Sequence, residues 1–469
     1  MFSTIFKKEL LDQLINPKFL IVFFLCLVLI PPSFLMNYAN YEENLKEYEF
    51  LKKNYREFLM NIRAIKLEIV GFRKPSLLST FGVGLERTLS KEIVFGYHNT
   101  KTKGTKAEGE TLSNIAGKVD FVYIVGYLLG LFAILYASTL IVSEKEAGTL
   151  KLILSNNTKR STFIWGKFLA GYTILIIPLI ISFLIGLVLL FFAGFPLFSG
   201  ENLWRVIALL LMSLIFISTF FALGLFISTR THKSSIALIT SFLVWVFLTL
   251  VIPKISEPLA NLIHPIQSDD AMRMNRTQVI YQLEKEKARK LAEPFRKYFI
   301  EQRDYRKYFE IEKPYQKEYR GKIKSAIQKI ELKHQKEKEF NTNLSLLFSR
   351  LSPSSIYTNS ALNLCNTGLP DRGKFLKDIK AHRVLLQKAF FKYTTWSLDL
   401  TINEKGEESY SSGGGFGGVD LKKIPEFNFN FLNLLETLSK SLADVLLLII
   451  YNLVFIVGTY FSFIRYDVR

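Results

Sequence analysis

Three consecutive charged residues, Glu144-Lys145-Glu146, follow directly on an apolar run, and four aliphatic residues, Leu150, Leu152, Ile153 and Leu154, follow them. Charges at the edge of an apolar run mark a membrane boundary, not a proton relay within a span. Gly148 can end the first helix and Thr149 can start another. Asn156-Asn157 then turns the chain, and Ser161 or Thr162 caps the next apolar run. A short loop that exposes four aliphatic side chains needs something to bury them. The membrane surface could do this, and so could a docked protein with Glu144 and Glu146 as its polar rim. Catalytic chemistry has less support. The five histidines are scattered and no HExxH is present. His264, His334 and His382 are isolated, and Asp269-Asp270 has no evident partner. Cys26 and Cys365, the only cysteines, exclude a disulfide scaffold and a Cys-rich metal site. No GxxxxGK[ST] loop is present to cradle nucleotide phosphates.

The elements that position this loop are membrane spans. The chain has 469 residues, 49% of them hydrophobic, yet carries a formal charge of +19. Six apolar runs are long enough to cross a bilayer as helices: Phe19–Met36, Phe121–Val142, Phe163–Phe192, Trp204–Ser228, Ser235–Ile252 and Ala443–Ile464. Pro178 predicts a tilt or kink in the third. Asp120 and Asp444 lie at span edges. Short loops carrying Lys7, Lys8 and Lys18, then Lys145 to Arg160, then Arg230 and Lys233, then Arg465 and Arg469, all fall on one side. The basic side is the cytoplasm, so both termini are cytoplasmic. The first 36 residues have the charge and apolar run of a signal peptide, but no small-x-small cleavage site follows Pro31-Pro32, which predicts an uncleaved anchor. Residues 1–16 read as an amphipathic helix lying along the inner surface, turned into the first span by Pro17.

This gives residues 1–37 as elbow helix and first span, 38–118 as a first extracytoplasmic insert, 119–253 as spans two to five, 254–435 as a second insert, and 436–469 as sixth span and tail. The fold class is an all-α polytopic membrane protein. Its large, mainly helical outside domain carries a small β element. Long translocated segments largely escape the basic-loop rule, so the charge of the inserts does not conflict with this orientation. In the first insert, Tyr41, Leu45, Tyr48, Tyr55, Leu59, Ile62 and Ile69 form a heptad seam, with Lys52 and Lys66 in the missing slots. It predicts a stalk helix that packs on helices of 273–340, within the subunit or across a dimer, with the lysines marking where the seam stays wet or meets an acid such as Glu318 or Glu331. Tyr315, Tyr319, Ile323, Ile327 and Ile330 form an apolar stripe there, and Pro294 and Pro314 predict breaks. The pairs Glu286–Lys290, Glu293–Lys297 and Glu318–Lys322 suit a helix surface. Thr394–Ile402 alternates like a strand, 411–418 reads as a flexible loop, and Phe427, Phe429 and Phe431 suit an edge strand or an aromatic girdle. Lysines and arginines interleaved with glutamates argue for a solvated helix face, not a nucleic-acid surface. Attraction to anionic lipid or to an acidic surface polymer stays open.

The stretch E-K-E-x-G-T-L after the second span, then L-S-N and a basic turn into G-K-x-L-x-G, resembles the permease subunit of type-two ABC transporters. Lys74 to Ser79, Gly84 to Arg87, and Leu351-Ser352-Pro353 resemble a large-insert branch that includes permeases of nitrous-oxide-reductase maturation. The resemblance implies a cytoplasmic coupling helix at 144–156, with Glu144, Glu146, Gly148, Thr149, Leu150 and Leu152 meeting a separately encoded ATPase. It also implies two ATPase copies that hold ATP and Mg, no cofactor in this chain, and a homodimer or heterodimer of permeases in the bacterial cytoplasmic membrane. Two readings follow from it: an exporter subunit, or a mechanotransmitter that moves the outside domain against a periplasmic or surface partner.

Overall fold

A backbone in lipid must satisfy its own hydrogen bonds, so long apolar runs fold as helices. Six helices are long and apolar enough to span a membrane: Pro17–Glu57, Phe121–Glu146, Arg160–Phe192, Asn202–Arg230, Ser234–Ile263 and Leu434–Ile464. Each contains, wholly or nearly so, one of the six runs read from the sequence. The computed structural model describes residues 2–61, 69–86, 92–95, 100–103, 119–150, 153, 159–393, 401–402, 408–409 and 425–465. The chain divides into two compact units, Met1–Thr249 with Pro353–Arg469, and Leu250–Ser352.

In chain order, α1 (Phe2–Leu14) and α2 (Pro17–Asn61) lead to strands β1 (Ile69–Phe72), β2 (Glu92–Phe95) and β3 (Thr100–Lys103). The second span is built from α3 (Phe121–Tyr123), a π-helical segment Ile124–Leu129, α4 (Gly130–Thr139) and α5 (Val142–Glu146). Helices α6 (Arg160–Phe192), α7 (Asn202–Arg230) and α8 (Ser234–Val246) follow. The second unit holds α9 (Ile252–Ile263), α10 (Asp269–Pro294) and α11 (Tyr305–Ser349). The chain ends with α12 (Pro353–Leu364), α13 (Leu369–Tyr393), a two-stranded β4–β5 ladder (Thr401–Ile402, Glu408–Ser409) and α14 (Leu434–Ile464).

In the first unit, Pro17 starts α2, and this helix runs through Pro31 and Pro32 without a break. Helix α6 likewise continues through Pro178. Phe34 of the first span meets Phe81 at 4.8 Å and Phe183 at 5.5 Å between ring centroids, and Phe121 meets Phe183 at 5.0 Å. Such tilted and edge-on ring pairs fill the junction of three spans. Farther along the bundle, Gly224 lets α7 approach α4 so closely that a Cβ would strike the Ile134 carbonyl. Trp165 and Trp204, near the starts of α6 and α7, are exposed as membrane-interface residues often are.

The first insert departs from the expected stalk. The helix stops at Asn61, residues 62–68 lie outside the described set, and Ile69 belongs to a strand. Ile69-Val70-Gly71-Phe72 suits a pleated half-buried surface better than a helix. It opens a three-stranded antiparallel sheet of order β1-β2-β3, with Val70 opposite Val94 and Val94 opposite Lys101. The stalk is held by its own unit: Arg56 and Lys52 pair with Glu426, and the Val70 N–H donates to the Tyr55 hydroxyl at 2.7 Å. In the second unit, taken by itself, Glu318 pairs with Lys322 and Glu331 with Arg276.

Residues 425–433 form no strand or girdle. Phe427 and Phe429 are buried with Ile93, Phe375, Ile379 and Leu386, because α13 offers an apolar face to both rings. Of Thr394–Ile402 only 401–402 are described, as strand, and 411–418 lie outside the described residues.

The second unit is a helical hairpin. At Pro294 α10 passes directly into a π-helical segment, Phe295–Glu301, and the helical backbone breaks only at 302–304, not at the proline. Helix α11 runs through Pro314, which is exposed, so the carbonyl it frees can meet water. Tyr319 is buried while Tyr315, Ile323, Ile327 and Ile330 are half-buried, forming the predicted stripe. The Tyr319 hydroxyl donates to Glu286 at 2.7 Å, and Glu286–Lys290 and Glu318–Lys322 pair along the surface. Lys297 lies in a π-helical turn, where the four-residue register to Glu293 is lost, and its ammonium sits over the Tyr298 ring.

Candidate functional site

The residues 144–146 occupy one turn of α5, and a helix rotates about 100° per residue. Three consecutive side chains therefore fan out toward three different neighbours. Each finds one.

Glu144 accepts from the Lys167 ammonium of α6 at 2.6 Å, and Lys167 donates also to Glu9 of α1 at 3.0 Å. Lys167 is 3% exposed and the two carboxylates are mostly covered. A lysine two turns into an apolar helix needs such partners, because an unpaired ammonium there is costly. Lys145 turns the other way and donates to the carbonyls of Ser228, Thr229 and Thr231, at 3.2, 2.6 and 3.1 Å. These are the carbonyls that the C-terminus of α7 leaves without partners, at the negative end of its dipole. All three ammonium protons are used. Glu146 accepts from the backbone N–H and hydroxyl of Ser234 at 3.1 and 2.6 Å. It thus caps the N-terminus of α8, where negative charge is favourable.

The backbone joins in. The N–H groups of Ile141 and Val142 both donate to the Ser228 hydroxyl at 3.0 Å. Arg160, at the start of α6, donates to the Phe463 and Ile464 carbonyls at the end of α14. One charged turn at this end of the bundle thus ties the elbow helix and the third, fourth and fifth spans to the second, and the neighbouring arginine adds the sixth.

Gly148 has φ +73, the left-handed conformation of a helix C-cap, and its N–H donates to Lys145 at 3.2 Å. No atom lies within 4 Å of a Cβ built there, so backbone conformation, not space, calls for glycine. The Thr149 hydroxyl donates to the Glu144 carbonyl at 3.3 Å, and residues 149–150 and 153 are helical. Leu150 is 2% exposed. At this position the expected exposed aliphatic run is corrected: Leu150 is covered by its own chain, and Ile153 is half-buried. Leu152 lies outside the described residues. Sequence reading named Glu144 and Glu146 but missed Lys167, Glu9, Ser228 and Ser234. The signal for Lys167 was present as the lysine of G-K-F-L-A-G, a cation inside an apolar run opposite an acidic pair.

The opposite end is closed by side chains of the inserts. Asp120 accepts from Val83 N–H and Tyr123 N–H, both at 2.7 Å, and so caps the second span. Buried Arg205 donates to Leu364 and Leu432 carbonyls, to Asn366 and to Glu201. Glu201 in turn accepts from Leu434 N–H at 2.6 Å. Arg73 and Glu86 form a covered bidentate pair. Helix α12 is wedged between spans: Tyr357 stacks on Phe216 at 4.4 Å and shares a hydrogen bond with Ser213. Cys26 and Cys365 are buried free thiols. Among the described residues no cluster of three His, Cys, Asp or Glu side chains could hold a metal.

Membrane-length helices clamped at both ends, with a charged turn whose Glu146–Thr149 rim is exposed, define a multi-pass membrane component. The chain belongs to the ABC-2 family transporter proteins, whose family model matches residues 3–468, nearly its whole length. It is therefore a membrane permease component of an ABC system, and the family implies an ABC ATPase partner. A search of curated protein sequences finds no match.

Proposed function

We propose that this chain couples a separate ATPase to export across the bacterial cytoplasmic membrane, with the 144–156 segment as the coupling element. The observation that carries this reading is the fan of Glu144, Lys145 and Glu146 onto three neighbouring spans and, through Lys167, onto α1. A push on residues 146–153 reaches four elements at once, because each is joined to that turn by a charged hydrogen bond. ATP and Mg belong to the partner. Two ATPase copies act on two permease halves, either two copies of this chain or this chain with a related one. The basic end faces the cytoplasm with both termini.

The test is reconstitution with an ABC ATPase. Glu146→Lys and Leu152→Asp should each lower ATPase copurification or permease-stimulated hydrolysis at least tenfold, since an interface anchor is commonly worth about 2 kcal/mol or more. Unchanged association and hydrolysis in both variants would sink the coupling reading. Orientation is checked separately. Cysteines introduced at Thr158 and Gly415 should be labelled from opposite faces of the membrane, the native thiols being buried.

A second reading, mechanotransmission without passage of a substrate, has support from α2. This helix runs unbroken for 45 residues, about 65 Å, and its outer part is pinned by Glu426 and Val70. A shift of the first span would swing the insert that β1 belongs to. Arg56→Glu breaks that pin. Under mechanotransmission it should uncouple the extracytoplasmic effect while ATP hydrolysis continues; under export it should leave both intact.

A further inference from the structure

The turn of the hairpin in the second unit has a composition that neither coupling nor export uses. Residues 295–309 hold Phe295, Tyr298, Phe299, Tyr305, Tyr308 and Phe309. Phe299 and Tyr308 form the inside of the turn, with Phe295 stacked on Phe299 at 4.8 Å and Tyr308 edge-on to Phe299 at 5.4 Å. That cluster accounts for the fold of the turn. Tyr305 joins it, edge-on to Phe299 at 4.8 Å, but the cluster does not account for Ile300 and Phe309, each 57% exposed. These apolar groups stand in water beside a set of cations.

The acids of the turn are already engaged. Glu301 pairs with Arg296, and Asp304 caps α11 by accepting from Lys307 N–H. Lys297, Arg303, Arg306 and Lys307 have no carboxylate within ion-pair distance among the described residues. Lys297 and Lys307 instead lie 5.5 and 5.0 Å from the Tyr298 ring. Arg303 holds a positive φ of 53° at the apex, which projects the turn as a compact corner, not a continuous helix.

We propose that this tip docks on an anionic lipid bilayer surface. Unpaired lysines and arginines match headgroup charge, and aromatic and aliphatic side chains enter the layer just beneath it. A soluble acidic polymer answers the charges but offers nothing to Ile300 and Phe309. A bilayer surface answers both. The tip residues begin about 40 Å from the start of α10 along the hairpin, at the far end of that helix.

The experiment uses the full chain in nanodiscs of phosphatidylcholine alone, mixed with vesicles of phosphatidylcholine or of phosphatidylcholine with about one-third phosphatidylglycerol. Flotation should carry the protein with the anionic vesicles only and weaken as salt is raised. Removing one tip cation, as in Arg306→Gln, should lower vesicle affinity about fivefold. Ile300→Ser with Phe309→Ser should lower it about tenfold or more and leave the salt dependence in place. Both side chains are largely exposed, so the double variant keeps the hairpin, checked by unchanged helicity. Absence of flotation overturns the proposal. So does an unaltered affinity of the double variant, or equal retention by dextran sulfate in both forms, which would assign the tip to a soluble polyanion. Self-association of the protein that follows the same substitutions without vesicles would assign it to a second copy and overturn it equally.

Discussion

The pair Lys167–Glu144 and the pair Lys322–Glu318 have nearly the same length, 2.6 and 2.7 Å. The first is inside the helix bundle with its lysine 3% exposed, and the second lies on the hairpin with its groups 44% and 50% exposed. Distance alone does not rank them. In the bundle Lys167 is cut off from water and depends on both Glu144 and Glu9, while each of these mostly covered carboxylates depends on Lys167. On the hairpin, water and salt compete for both ions at all times. The bundle end is where charge fixes structure, and the hairpin is where charge keeps a long helix soluble.

The sharpest way to break this contrast is Lys167→Met. It strands two largely covered carboxylates and should cost about 3–5 kcal/mol of unfolding free energy in mixed micelles. Adding Glu9→Gln and Glu144→Gln to that variant should recover a large part of the loss, because the stranded charges are gone. No recovery would mean that the loss comes from packing around the lysine stem.

Next in size is Lys145→Met. It leaves three carbonyls at the end of α7 without their cation, and hydrogen bonds to charged groups are worth about 1.5–3 kcal/mol in net terms. The expected loss is about 2 kcal/mol, measured by the same unfolding assay. A smaller change would show that solvent reaches those carbonyls once the lysine is removed.

Asp371 sharpens the comparison through pH. Burial pushes its carboxyl above the usual aspartate range, although Leu432 N–H and Arg205 favour the charged form. A carboxyl whose folded pKa is raised weakens the fold at neutral pH, and the penalty is relieved as pH falls through that pKa. Asp371→Asn keeps an oxygen for Leu432 N–H and removes the charge. Its thermal stability should exceed that of the parent at neutral pH, with the advantage shrinking on acidification. A constant difference across pH would assign the effect to packing.

Much of this architecture can be read directly from residues. Six apolar runs, Pro17 as the first turn of α2, and the acid–base–acid turn after the second span all follow from length and polarity. The β-sheet of 69–103 was hidden because Ile69 continues the heptad spacing of the stalk, and spacing alone does not distinguish a helix seam from a strand of β-branched and aromatic residues. Phe427 and Phe429 alternate like a strand but are buried by α13, a partner far away in sequence. At the candidate site, the acids were visible and the cation opposite was not joined to them, since Lys167 and Glu9 come from segments that only the tertiary fold brings together. Leu150 looked exposed for the same reason.

The smallest expected effect lies on the hairpin. Glu318→Gln removes a pair whose groups are open to water, so the melting temperature of the reconstituted protein should not shift measurably, at low or high salt. The Lys322 hydrogen bond holds Glu318 below the usual carboxylate range, and the Tyr319 hydroxyl does the same for Glu286. For a carboxylate with a lowered folded pKa, the contribution is present above its ordinary range and is lost as pH falls through the folded value. Acidification should therefore leave hairpin helicity level through the neutral and mildly acidic region, with any decline confined to lower pH. Tyr319→Phe separates the two acids: the ring stays buried, the donor to Glu286 is lost, and any acid-range decline should begin at higher pH than in the parent. An onset that does not move would show that the surface ladder of lysines, and not the buried tyrosine, sets the protonation of Glu286.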